Sequence, residues 1–355
     1  MNAALVRAGI VGCGMVAAEY AATLAAAEGV HVQLRACTDL DDARAQAFAD
    51  RYGIPAVSVD HVMDPAALDM ALILTPPSTH SALAQQAVAA GLRAVWIEKP
   101  FATDPDGATA LLRLAQQAGT LIGVAPDTLL GPALQTAAAA LEQSLVGDVL
   151  SATATLFSTG PERWHPAPEP FYSEHAGPLG DMGPYYLAAL DYLLGPLHVR
   201  AATSRTRTAR LVRSGPRAGS QFIARAPTYV AALLDTDRGI PVTLITSFDA
   251  VGSQTPHLEI HGTEGTLVLP DPNFHDGLVL HLAHGARNWD TIPPAPTTGP
   301  ASRGMGVLDL ADALRESREP RCSAYRAERI VYLIDAINRA ATLHIPAPTR
   351  ITTTR

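Results

Sequence analysis

The chain has 355 residues, enough for two domains, and its formal net charge is −8, from 26 Lys and Arg against 34 Asp and Glu. The basic residues are scattered, which speaks against a nucleic-acid or anionic membrane partner, and no apolar run reaches the length of a membrane span. Gly9 and Gly12 arrive too early for a secretory leader, so the expected compartment is the cytoplasm.

Three cysteines, Cys13, Cys37 and Cys322, lack metal-ligand spacing and read as small buried hydrophobes, so no metal site is expected. Residues 6–11 form a short apolar strand that runs into Gly12-Cys13-Gly14-Met15-Val16-Ala17 and a helix over residues 16–28. This is a dinucleotide fingerprint with alanine at its third small position. The glycines permit a tight turn and a close pyrophosphate, and the helix N-terminus offers its N–H groups to the anion.

A second strand, residues 32–37, ends at Thr38-Asp39. Asp39 stands where a carboxylate accepts the ribose hydroxyls and repels a 2′-phosphate, which predicts NAD over NADP; Arg44 nearby could soften that preference. The other reading of Asp39 is an N-cap for the next helix. The alternation continues with a helix at 43–52, strands at 56–59 and 68–74, a helix at 79–90 stopped by Gly91, a strand at 94–97, a helix at 104–118 and a strand at 121–124. Single helices between strands predict a parallel, doubly wound α/β sheet with its ligand at the carboxyl ends of the strands.

Two of those ends are polar. Thr75-Pro76-Pro77-Ser78-Thr79-His80 follows one strand, and Glu98-Lys99-Pro100 follows the buried run Ala94-Val95-Trp96-Ile97. Pro100 stops that strand and fixes where Lys99 points. A surface Glu98–Lys99 ion pair is the plain alternative. His80 is either a cofactor-side contact or a residue in a helix's first turn.

With these motifs in this order, the chain resembles the glucose-fructose oxidoreductase, inositol dehydrogenase and rhizopine-catabolism (Gfo/Idh/MocA) family nearly end to end. The resemblance implies a Rossmann domain over residues 1–126. It also implies an α+β domain over residues 127–355 with a large, open, mostly antiparallel sheet, whose last helices could return to the first domain. Nicotinamide and substrate would meet between the two. Lys99 would lie beside the nicotinamide and the reacting hydroxyl, with Glu98 near the nicotinamide ribose and Thr75 and Pro76 on the cofactor side.

Many relatives have an asparagine and an arginine where this chain has Pro126-Asp127-Thr128. The departure resembles a subgroup with sugar and glycoside substrates. Asp127 is therefore a candidate substrate contact, or part of a turn that starts a helix over residues 132–145.

After a strand at 150–157, prolines stiffen a loop carrying Trp164, His165, Phe171 and Tyr172. Aromatic faces with polar edges suit a sugar ring, although the same rings could form the loop's own core or an oligomer contact. In Gly180-Asp181-Met182-Gly183-Pro184-Tyr185-Tyr186, Asp181 matches the family's aspartate, and Tyr185 occupies the position four residues later that relatives commonly give to histidine. The glucose-fructose and dimeric dihydrodiol branches use a tyrosine there for proton transfer.

Positions four apart share a helix face, so Asp181 and Tyr185 can reach one pocket, where Lys99 would lower the phenol's pKa. The plain reading of Tyr185 and Tyr186 is packing of the helix at 187–194 against a sheet. The remainder turns to β structure, with strands at 199–204, 228–235, 241–250, 257–261 and 266–269. Residues 205–217 read as a solvated basic loop and 289–301 as a connector. Two helices, at 306–316 and 324–343, and a frayed tail follow. A homodimer or homotetramer through the open sheet face is expected.

The function this predicts is reversible hydride transfer between NAD and a secondary hydroxyl of a sugar, glycoside, aminosugar or cyclitol. Lys99 and Tyr185 would handle the proton and Asp181 would orient the ring. The family also includes NAD-dependent glycosidases, which oxidise, eliminate and re-reduce, and non-catalytic sugar-pathway regulators. Glu98-Lys99-Pro100 and Asp181 speak against a mere sensor.

Overall fold

The computed structural model describes residues 5–27, 32–296 and 301–342. Its first half alternates as the sequence predicts: β1 (Val6–Val11), α1 (Met15–Ala26), β2 (Val32–Thr38), α2 (Asp42–Tyr52), α3 (Val59–Val62), β3 (Met70–Ile73), α4 (Pro77–Ala90), β4 (Ala94–Ile97), α5 (Pro105–Ala118) and β5 (Leu121–Val124). The strands form one parallel sheet in the order β2-β1-β3-β4-β5. Every residue of β3 and β4 is buried, as expected where helices cover both faces. Local chemistry sets the ends: the Asp41 and Asp104 side chains accept from the N–H groups of Arg44 and Gly107, and Gly91 and Gly119 close their helices in the left-handed region.

One element differs. The strand expected at 56–59 is reduced to a single bridge between Ala56 and Cys37, because Ser58 caps the short helix α3 and turns the chain away.

The second half contains α6 (Pro132–Glu142), β6 (Val149–Phe157), α7 (Gly177–Asp181), α8 (Gly183–Leu194), β7 (Leu197–Arg205), β8 (Ala209–Leu211), β9 (Gln221–Ile223), β10 (Tyr229–Thr236), β11 (Pro241–Ser247), β12 (Leu258–Gly262), β13 (Gly265–Leu269), β14 (Val279–Ala283) and β15 (Asp290–Ile292). Eight strands form an open sheet in the order β15-β14-β13-β12-β6-β11-β10-β7, antiparallel except where β6 meets β11. Strand β10 alternates buried and exposed positions, so one face of this sheet packs on α8 and α6 and the other faces outward.

The 205–217 segment is not simply a solvated loop. It contributes β8 to a two-stranded hairpin with β9, and Arg210 is fully buried. The Arg210 guanidinium donates to Glu162 at 2.9 Å and to the carbonyl of Phe248 at 2.8 Å, and it pairs with Asp249.

Helices α9 (Met305–Glu316) and α10 (Ala324–Thr342) return to the first sheet. Trp96 of β4 lies between Gly123 and Gly306; a Cβ at Gly306 would come within 2.1 Å of its ring. Helix α10 then ties the halves together. Its Arg326 and Arg329 close on the buried carboxylate of Asp191 in α8, at 2.9 and 2.7 Å, while Glu328 accepts from Thr109 of α5. The tail beyond residue 342 lies outside the described residues. No helix among them is long and apolar enough to cross a membrane.

Candidate active site

Strand β4 and the two residues that follow it deliver Trp96, Glu98 and Lys99 to three different tasks. Trp96 donates its indole N–H to the Tyr20 hydroxyl at 3.1 Å, and Tyr20 donates to Glu98 Oε1 at 2.9 Å. The other Glu98 oxygen accepts from the backbone N–H of Lys99 at 2.9 Å. Glu98 is thereby fixed to the cofactor helix α1, and the surface Glu98–Lys99 ion pair does not form. Lys99 instead crosses to the second half of the molecule. Its Nζ donates to Asp181 Oδ1 at 2.7 Å and to the Asp181 carbonyl at 2.9 Å, and lies 5.5 Å from the centre of the Tyr185 ring. Two of the three ammonium donors are thus used, and one is left for a ligand.

Asp181 and Tyr185 both approach Lys99, although not from one continuous helix. The chain breaks at Met182, so Asp181 ends α7 and Tyr185 sits in the first turn of α8, with Lys99 bridging them. Burial acts to lower the Lys99 pKa, but the Asp181 carboxylate, with Tyr185 and Glu98, outweighs it and holds the amine above its ordinary value. The balance at Tyr185 is the opposite. Burial raises the phenol above its ordinary value, against the lowering influence of Lys99 and Arg303.

The sequence reading missed Arg303. Lys99 lies over the ring face, whereas the cation at the phenol oxygen is Arg303, which donates from Nη1 at 3.0 Å. Nothing local marks it, since it follows the Pro/Thr-rich connector.

The cofactor-side residues suit a dinucleotide. Gly12 has φ +97°, and a Cβ there would lie 2.9 Å from the Leu74 carbonyl oxygen, so the turn between β1 and α1 admits only glycine without strain. A Cβ at Gly14 would meet nothing within 4 Å, which leaves open space before α1. The first turn of α1, with Met15 and Val16, has neither a capping side chain nor an acidic residue to compete for an anion. Asp39 closes the same turn, accepting from Cys13 N at 2.8 Å and Asp41 N at 2.9 Å, while Arg44 pairs with it at 3.4 Å. The helix cap is the neighbouring Asp41. Thr75 accepts from the Thr79 hydroxyl at 2.7 Å, and Pro76 is exposed at the head of α4.

Five expected contacts fall elsewhere. His80 is fully buried, and its ring nitrogens lie 2.8 Å from the carbonyls of Thr75 and Pro100, so both are engaged in holding these two segments together. Asp127 is also fully buried. One oxygen accepts from Gly304 N and Gly306 N at 2.7 and 3.1 Å, and the other meets His275 at 3.2 Å, so both oxygens are engaged within the protein. Tyr172 is sealed among Phe222, Phe248 and Arg210, with its hydroxyl on Glu162. Its phenol is pushed up by burial and by the Glu162 carboxylate. Trp164 and His165 form edge-to-face contacts with each other and with Phe171, so the loop's rings pack mainly on themselves, and Trp164 stays exposed.

Tyr186 is structural, its hydroxyl shared by His257 at 2.7 Å and Asp271 at 3.2 Å. Among the described residues no group of three or more His, Cys, Asp or Glu side chains could hold a metal.

One compositional signal went unread. Lys99 is the only lysine in the chain; the other 25 basic residues are arginines. A composition that replaces lysine almost everywhere has kept an amine at the one place where a compact ammonium meets Asp181 and Tyr185.

Comparison with known proteins gives the same grouping. The oxidoreductase family model with an NAD-binding Rossmann fold matches residues 6–125, and the GFO/IDH/MocA C-terminal domain model matches residues 134–268. The chain is 26% identical over 264 residues to inositol 2-dehydrogenase of Rhizobium meliloti (strain 1021), covering 74% of each protein. It is 23% identical to trans-1,2-dihydrobenzene-1,2-diol dehydrogenase of Bos taurus, over 96% of this chain and 98% of that one. Levoglucosan dehydrogenase in complex with NADH shares the fold, with a TM-score of 0.79 at 19% identity over 96% and 97% of the two chains. The chain belongs to the Gfo/Idh/MocA oxidoreductase family, an NAD-binding enzyme of the sugar and cyclitol dehydrogenase kind.

Proposed function

We propose that this enzyme transfers a hydride between NAD and a secondary hydroxyl of a sugar, glycoside, aminosugar or cyclitol. The observation that carries the reading is the convergence of Lys99, Asp181 and Tyr185 at the carboxyl end of β4, in the same parallel sheet whose β1 ends in the glycine turn. The names of the inositol and levoglucosan dehydrogenases point to the same polyhydroxylated class. NAD supplies the hydride acceptor when bound. The chain's own part is proton chemistry and orientation. The free N–H of Lys99 would hold the reacting oxygen and stabilise negative charge developing on it. Tyr185 would take the hydroxyl proton, and Asp181 would hold the ammonium in place.

A phenol held above its ordinary value is protonated at pH 7, and its base form grows as pH rises. Oxidation should therefore speed up towards alkaline pH, and reduction should be favoured nearer neutrality. Initial rates in both directions between pH 6 and about 10.5 check this. An oxidation rate independent of pH in wild type would remove Tyr185 from the role.

The Asp39 carboxylate predicts that kcat/KM with NAD exceeds that with NADP. Asp39→Ser should reduce the NAD/NADP ratio by about tenfold or more, because a 2′-phosphate would no longer meet the Asp39 charge and Arg44, 54% exposed, would keep only Asp41 as a partner. Equal efficiency with both nucleotides in wild type would contradict the reading.

We also infer that a second copy covers the outward face of the eight-stranded sheet, where Leu233 is 55% exposed, and that the enzyme works in the cytoplasm. The reading is tested by screening sugars, glycosides, aminosugars and inositols for NADH formation. Sugar release without NADH would favour the glycosidase alternative.

A further inference from the structure

We propose that Arg303 is a positioning residue of the active site, an arm that holds the Tyr185 phenol oxygen as the proton acceptor and joins the two halves of the molecule across the crevice. The proposal rests on the dehydrogenase reading above. The arm is built from three anchors. Before it, the Ser302 hydroxyl hydrogen-bonds to Thr23 of α1 at 2.7 Å. After it, the N–H groups of Gly304 and Gly306 are held by the buried Asp127 carboxylate. Between these points the Arg303 side chain pairs its Nε with Glu19 of α1 at 3.1 Å and reaches Tyr185 on α8 with Nη1 at 3.0 Å. Its Nη2 donates to Asn273 Oδ1 at 3.2 Å. Three nitrogens of one planar fork thus contact three separate elements, a geometry that an ammonium on a flexible stem cannot reproduce.

The charges around the phenol explain why a second cation is needed there. Lys99 and Glu98 act on it from the end of β4 and Arg303 from the segment before α9, with Asp181 of α7 behind Lys99 and Glu19 of α1 behind Arg303. The Lys99 charge is already shared with Asp181, and Glu98 works against ionisation of the phenol. Arg303 is the group that touches the oxygen itself. It also gives Asp127 a task, that of positioning the arm rather than binding substrate.

The test compares wild type, Arg303→Ala and Arg303→Lys in the pH profile of kcat and in substrate KM. It adds the ¹³Cζ tyrosine resonance assigned to Tyr185 through Tyr185→Phe, which needs no turnover. Arg303→Ala should lower kcat near neutral pH by about tenfold or more and move the rising limb by about one pH unit or more to the alkaline side. KM should change less, added guanidinium should restore part of the rate, and Arg303→Lys should be intermediate. The Tyr185 resonance should move in Arg303→Ala. If that variant does not fold, Arg303→Lys carries the test: a reduced, alkaline-shifted profile supports the arm and an unchanged one overturns it.

A superimposable profile with an unmoved resonance overturns the proposal while leaving the dehydrogenase reading intact. A moved resonance in a protein that forms no NADH from any polyol supports the arm and instead overturns that reading.

Discussion

Replacement of Lys99 by alanine is expected to lower kcat by about 10²- to 10⁴-fold while changing the Kd for NAD by no more than about threefold. The asymmetry follows from the geometry. The glycine turn, the free end of α1 and Asp39 do not depend on the ammonium, whereas Asp181 and Tyr185 are both arranged around it. Removing Nζ leaves the Asp181 carboxylate without its cation and withdraws one of the two positive charges that favour the ionised phenol. Lys99→Arg should not restore the rate, because a planar fork cannot occupy the place of a compact ammonium held by one carboxylate and its own carbonyl. Single-turnover rates and NAD titration by fluorescence separate the two quantities. A Lys99→Ala enzyme with near-normal turnover would refute the assignment.

Arg210→Ala should cost about 3–5 kcal/mol of stability, because it leaves the buried Glu162 carboxylate without its cation and takes one of its two arginine partners from Asp249. The Arg210 and Glu162 side chains are 1% and 4% exposed, so water cannot replace the lost partner. The pair anchors the β8–β9 hairpin and the proline-rich loop to the open sheet, with Tyr172 closing the other side through Glu162. Urea unfolding checks the loss; a change below about 1 kcal/mol would show that the loop is held by other contacts. Because the cluster does not touch Lys99, Asp181 or Tyr185, the folded variant should turn over at close to the wild-type rate.

The parallel sheet was legible because its physics is local. Unbroken apolar runs such as Ala94–Ile97 name strands buried on both faces, and glycines at 91 and 119 end helices where no side chain fits well. The grouping of Asp181 and Tyr185 around Lys99 was legible through the order of short motifs. What the sequence hid is pairing over long separation. Asp127 looked like a turn residue in a substrate region, yet its carboxylate serves the backbone of Gly304 and Gly306, nearly 180 residues later.

Arg210 sat in a run of arginines that composition alone describes as solvated, and only the fold brings Glu162 and Asp249 to it. Arg303 stands just after a connector and acquires meaning from Tyr185, 118 residues before it. Strands β14 and β15 and the hairpin strands β8 and β9 were missed because three to five residues at a sheet edge, or in a separate ribbon, carry too little alternation to register. The single lysine was in plain view, and its signal lay in the composition of the other 25 basic residues rather than in its own neighbourhood.

The most direct test is hydride tracing with the polyol that gives NADH in the screen, deuterated at the carbon to be oxidised, in wild type and Lys99→Ala. The expected result is deuterium at nicotinamide C4 in stoichiometric amount with wild type, and transfer slowed by at least about a hundredfold in the variant. Deuterium that never reaches the nicotinamide, or that reaches it equally fast without Lys99, would contradict the assignment of this crevice as a lysine-dependent dehydrogenase site.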